Sequence, residues 1–173
     1  MAAGATLAYT MFVEVYLHAA VVRGILETNQ DRLSNYFAVR QGEEVFALKD
    51  ATLQVDAHEP VSVGSREYLL YMQEVLLIAD LGAEDPGRRV LPGLFVKKEK
   101  SKALLSVGPY LLQGNVHLQS GSALQEFLVE KNYFLPITEA ILLGRQDVGP
   151  RTYLVNRAKI GFIAGLGEDL VEF

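Results

Sequence analysis

The sequence predicts an all-β fold: two tandem, pseudo-symmetric small barrels or curved antiparallel sheets, β-rich, with one short helix per unit. Three observations predict it. First, Val63 to Leu81, VGSREYLLYMQEVLLIADL, is written again as Val148 to Leu166, VGPRTYLVNRAKIGFIAGL, with eight of 19 positions identical and no gap. A self-match at fixed spacing makes about half the chain the folding unit. Second, the runs between turn signals are rich in β-formers and alternate at period two. Third, the links between those runs are too short for helical crossovers, which favours antiparallel neighbours.

Composition narrows the function classes. The 173 residues are half hydrophobic and 21% charged, a balance that folds. At 19.1 kDa the chain suffices for one ordinary domain or two small ones sharing a core. The net charge of -5 lowers the expectation of a phosphate-backbone partner, which needs Lys and Arg gathered on one face. With no cysteine, disulfides, thiolate zinc sites and a thiol nucleophile are excluded, and a reducing cytoplasm fits. The uncharged stretch from Ala2 to Val13 lacks a basic start and is cut by Glu14 and His18. That is well short of the roughly 18 to 20 apolar residues of a spanning helix, so no membrane span is expected.

The first repeat unit is assigned to residues 12–81. FVEVYLHAAVVRGIL, Phe12 to Leu26, reads as one strand with a drier face at Val13, Val15, Leu17, Ala19 and Val21. Gly24 marks a bend or bulge that curls it. In TNQDRLSNYF, residues 28–37, Asn29 or Asp31 can cap a short helix with Leu33 and Phe37 on one side. VFALKDATLQV, residues 45–55, reads as the next strand, and the duplicated stretch supplies Tyr68 to Met72 and Val75 to Leu81.

Residues 82–102 form a linker and basic run. GAEDPGRRVLPG holds three Gly and two Pro in twelve positions, and KKEKSK, with Lys97 and Lys98, reads as a solvated hairpin or strand edge. The second repeat unit, residues 103–166, restates the order: Tyr110 to Leu118 places Gly114 where the first has Gly24. LQEFL, residues 124–128, matches LSNYF, and FLPITEAIL, residues 134–142, matches VFALKDATL. Residues 167–173 are read as a frayed tail, with addition to a neighbour's sheet edge as the alternative. A unit of roughly 70 residues is marginal by itself, so the two copies are expected to pack on one another.

The pattern RLSNYF followed by FALKDA resembles bacterial domains of unknown function that carry an Arg-Leu-Ser-Asp-like turn before a strand, here in tandem copies. That resemblance implies no activity. FLPITEAIL, a loop, then TYLVNRAKIGFI is similar to the last three strands of Sm-like small barrels: strand, variable loop, short strand, basic or polar turn, final aliphatic strand. In that family the polar and basic residues of the last turn often contact RNA. The resemblance therefore implies an RNA role for Asn156, Arg157 and Lys159. The first unit departs from it, with Tyr71, Met72 and Glu74 at those places, and the inserted short helix does not follow the Sm order.

His18, His58 and His117 share no ligand-like spacing, and neither a nucleophile elbow, a phosphate loop nor a dinucleotide fingerprint is present. Arg66 and Arg151, with Asp50 and Glu139 one strand earlier, recur in both copies, as do Tyr68 and Tyr153. An Arg and a carboxylate suit an internal bidentate pair fastening loop to strand, with an anion site as the alternative. The expectation is a non-enzymatic scaffold or interaction protein without cofactor or metal. It would be cytoplasmic and would bind itself, or a protein partner, through strand edges. The alternative is a nucleic-acid binder of Sm-like type using Asn156, Arg157 and Lys159; these three, with Lys97 and Lys98 of the basic run as a contact for an anionic partner, are the candidate partner-binding residues.

Overall fold

Alternating apolar side chains become strands throughout the chain. The structure, a computed structural model, describes residues 8–55, 59–61, 67–84, 98–145 and 148–167. Arg66, Lys97, His58, most of the linker and nearly all of the tail lie outside the described residues. The chain divides into two compact units, Met1–Leu91 and Pro92–Phe173.

In the first unit β1 (Tyr9–Tyr16), β2 (Val21–Thr28), α1 (Leu33–Ala38), β3 (Val45–Gln54) and β4 (Glu67–Tyr71) follow in order. A 3-10 turn at Met72–Glu74 then leads into β5 (Leu77–Glu84). The strands run in the spatial order β5, β1, β2, β3, β4, with every pairing antiparallel. The second unit holds β6 (Lys98–Val107), β7 (Tyr110–Gln119), α2 (Leu124–Leu128), β8 (Phe134–Leu142), β9 (Arg151–Asn156), a 3-10 turn at Arg157–Lys159 and β10 (Ile160–Gly165). Its spatial order is β10, β6, β7, β8, β9, again antiparallel. The all-β class is thus observed, and of its two expected forms the open sheet is found, since neither unit closes into a barrel.

The run from Phe12 to Leu26 is not one strand. It turns at residues 17–20, where the Leu17 amide donates to the Ala20 carbonyl at 2.8 Å, and β1 pairs with β2 from Tyr9↔Thr28 to Tyr16↔Val21. The expected dry and wet faces also fail. β1 lies between β2 and β5 and is buried on both sides: Val13 and Val15 at 0% exposure, Glu14 at 2% and Tyr16 at 1%. A strand covered on both faces loses the polar alternation that marks a half-exposed one. The basic run opens β6, where Lys98, Glu99 and Lys100 are exposed and pair with β7 alone, the solvated strand edge expected.

The helices form where the sequence places them, but α1 is capped differently. Its N-cap is Arg32, without a side-chain cap. Asp31 instead accepts a hydrogen bond from the Asn35 amide at 2.9 Å, and Thr28 Oγ1 accepts one from the Gln30 backbone at 3.0 Å. Leu33, Tyr36 and Phe37, one face at spacing three and four, are buried and hold the short helix by packing. Phe37 meets Tyr36 and Phe46 edge to face at centroid distances of 4.8 and 5.1 Å.

Candidate functional site

One backbone device recurs in both units. Asp50 and Glu139 stand in the left-handed region, with φ of 47° and 50°. Each sits where the ladder slips: between Arg23 and Ile25 of β2 against β3, and between Gln113 and Asn115 of β7 against β8. The shared glycines face these slips. A Cβ on Gly24 would lie 3.0 Å from the Ala51 Cβ, and one on Gly114 only 2.6 Å from the Ala140 Cβ and 2.9 Å from its Cα. The bulge thus needs an extra residue on one strand and a missing side chain on the other. Inside-facing positions change phase across it, from Phe46 and Leu48 to Ala51, and from Leu135 and Ile137 to Ala140 and Leu142.

The expected partnership of Glu139 with Arg151 is not what forms. Glu139 accepts from Lys100 Nζ at 2.7 Å and from Asn115 Nδ2 at 2.6 Å, and these bonds hold its carboxyl below the usual range, Lys100 first. Arg151 pairs in register with Ala140 instead, and its Nη1 is buried without a partner among the described residues. Lys49, beside Asp50, reaches Glu27, and that contact raises its pKa. Tyr153 is buried at 1% exposure against Ile137, while Tyr68, opposite Leu48, is partly exposed.

The residues nominated for partner contact separate into different roles. Asn156 is fully buried at 0% exposure and accepts from the Ala158 amide at 3.0 Å, so it caps the 3-10 turn and cannot present its side chain to a partner. Arg157 donates to the Glu130 carbonyl, and its own amide bonds the Tyr133 carbonyl at 3.0 Å. Lys159 is partly exposed, with neither ion pair nor hydrogen bond among the described residues. In the first unit the Met72 amide bonds the Glu44 carbonyl at 2.8 Å, so this turn is anchored to the start of β3 as the other is to the start of β8.

Lys98, Lys100 and Lys102 alternate along β6 and therefore share one face, opposite Gln119, His117 and Asn115 of β7. His117 contacts Thr138 Oγ1 at 2.7 Å through Nε2. Burial lowers its pKa, Lys100 and Lys98 lower it further, and Glu139 opposes them. His117 and Lys98 also line a small hollow of about 160 Å³ beside α2. Among the described residues no cluster of three His, Asp or Glu forms a metal-ligating group, and no helix is long and apolar enough to cross a membrane.

Large exposed apolar side chains lie on strands that end the sheet orders. β4 presents Leu69 at 66% and Tyr71 at 56% exposure, and β10 presents Phe162 at 47%. Register places Leu69 beside Ala47 and Tyr71 beside Val45, a strip that continues into an open cleft of about 420 Å³ floored by Ile25, Val45 and Ala47. Arg40, stacked 4.4 Å from the Tyr36 ring centroid and paired with Glu43, forms part of its rim. The sequence reading missed this edge because Leu69 and Tyr71 look like core residues. Their spacing of two, with buried Leu70 between them, was the available signal. Comparison with protein-family models, curated proteins and solved structures finds no match for this chain.

Proposed function

We propose that this chain is a non-enzymatic interaction or scaffold protein that binds itself, or a protein partner, by adding strands to its exposed sheet edges. The observation that carries the reading is β4: a five-residue terminal strand whose outward face holds two large, exposed apolar side chains, Leu69 and Tyr71, beside the cleft. A strand edge offers unpaired backbone donors and acceptors, and apolar side chains at alternate positions add contact area on the same face. A charge placed there blocks such pairing without touching the core. Leu69→Lys is expected to leave the circular dichroism unchanged and to abolish self-association, or capture of an extended peptide, in light scattering. Unchanged association counts against the reading. A reducing, cytoplasmic setting fits a chain without cysteine.

A second reading, nucleic-acid binding of Sm-like type, is favoured by Arg157 and Lys159 in a 3-10 turn between a short strand and a final aliphatic one, the local order of that family. Its test is titration of labelled single-stranded RNA at low salt. Binding lost on charge reversal at Lys159 and Lys98 supports it, and a flat titration removes it.

A further inference from the structure

We infer that copies of this chain join head to tail, the β4 edge of one against the β10 edge of the next. The inference rests on the edge-pairing reading above and gives it a direction. Residues 67–84 carry Glu67, Glu74, Asp80 and Glu84 and no Lys or Arg. Residues 148–167 carry Arg151, Arg157 and Lys159 and no Asp or Glu. The split extends over the units. Met1–Leu91 has 7 Lys and Arg against 13 Asp and Glu, a net of -6, and Pro92–Phe173 has 9 against 8, a net of +1, which together return the chain's -5.

Register makes the opposition specific. In an antiparallel addition the end of β4 lies beside the start of β10, and the register that sets Tyr71 opposite Phe162 sets Leu69 opposite Ala164 and Glu67 opposite Leu166. The 3-10 turn that follows β4 then meets the 3-10 turn that precedes β10, and Glu74 comes to Lys159. Glu74 is exposed and Lys159 partly so, and among the described residues neither has an ion-pair or hydrogen-bond partner. Between the charged ends, Leu69 and Tyr71 face Phe162 and Ala164, side chains that are exposed in the single chain. Like-with-like pairing forgoes this match: residues 67–84 offer no cation to a second β4, and residues 148–167 offer no anion to a second β10.

An interface made of two different surfaces leaves a free edge on each member, so assembly continues until a ring closes or a filament grows. Sedimentation velocity over a concentration series tests this with the wild type, Glu74→Lys, Lys159→Glu, their equimolar mixture and the double reversal in one chain. Each single reversal is expected to weaken assembly about ten-fold or more, since like charges then face each other across the contact. The mixture and the double reversal are expected to recover it, because each restores opposite charges at every contact. Assembly that responds to only one reversal, or that the double reversal does not restore, overturns the head-to-tail arrangement while leaving edge pairing standing. A wild type that stays at 19.1 kDa at every concentration overturns self-association itself. Circular dichroism of each variant separates a lost contact from a lost fold.

Discussion

At the scale of single residues, Glu14 shows how context sets the cost of a charge. Its carboxylate is 3% exposed while the Arg23 side chain that pairs with it is 62% exposed. Arg23 Nε donates at 3.0 Å, its Nη2 donates too, and the Tyr16 hydroxyl donates to the other oxygen. Removing the arginine takes two hydrogen bonds and the countercharge from the buried anion, so Arg23→Ala is expected to cost about 1 to 3 kcal/mol in chemical denaturation. The second unit solves the same position without charge. Its register places Leu104 opposite Gln113 where the first unit places Glu14 opposite Arg23. The double substitution Glu14→Leu with Arg23→Gln is therefore expected to cost less than Arg23→Ala with Glu14 left in place, because the buried anion leaves together with its partner. His117 provides a pH signature. Its folded pKa lies below the ordinary 6.5, through burial first and then Lys100 and Lys98. The unfolded chain therefore binds the proton more tightly, and stability falls as pH drops from about 6.5 toward the folded value. His117→Gln is expected to flatten the thermal-melting profile between about pH 7.5 and 5.

At the scale of elements, the bulges decide how each sheet bends. Gly114 faces tighter contacts than Gly24, with a Cβ at 2.6 Å from its nearest neighbour against 3.0 Å. Gly114→Ala is thus expected to destabilise by about 1 to 3 kcal/mol, as overpacked substitutions do, and Gly24→Ala by less, both read from urea unfolding. Much of this level was legible. LQEFL and FLPITEAIL coincide with α2 and β8 residue for residue, because turn residues bound them and their apolar positions repeat. The pairing of Gly24 with Gly114 and of Asp50 with Glu139 was legible too, but not that each glycine and acid form one device. That link needs the neighbouring strand, and the acids read more naturally as partners for Arg66 and Arg151. The hairpin inside Phe12 to Leu26 was hidden because Leu17-His18-Ala19-Ala20 contains no Gly, Pro, Asn or Asp, so the turn is set by strand pairing and not by turn chemistry.

At the scale of the whole molecule, the separation of charge predicts a salt response. If assembly is driven by an acidic edge meeting a basic one, raising sodium chloride from about 0.05 to 0.5 M shortens the screening length from above 10 Å to well below it. The sedimentation coefficient at fixed concentration is then expected to fall toward that of the single chain, whereas purely apolar contacts would hold or strengthen. The overall charge of -5 concealed this, because a sum over the chain cancels the difference between its halves. Asn156 was misjudged for a related reason: a polar letter in a basic stretch looks available, but a 3-10 turn consumes it as a cap. The phase change at Asp50 and Glu139 also determines where this chain can gain or lose length. Spacing between matching positions drifts from 89 at these two acids to 85 at Gly64 and Gly149, so intervening loops have absorbed four residues. Deleting Asp50 or Glu139 has a different outcome: Ala51 or Ala140 rotates from interior to solvent, and each side chain after it in the strand changes face.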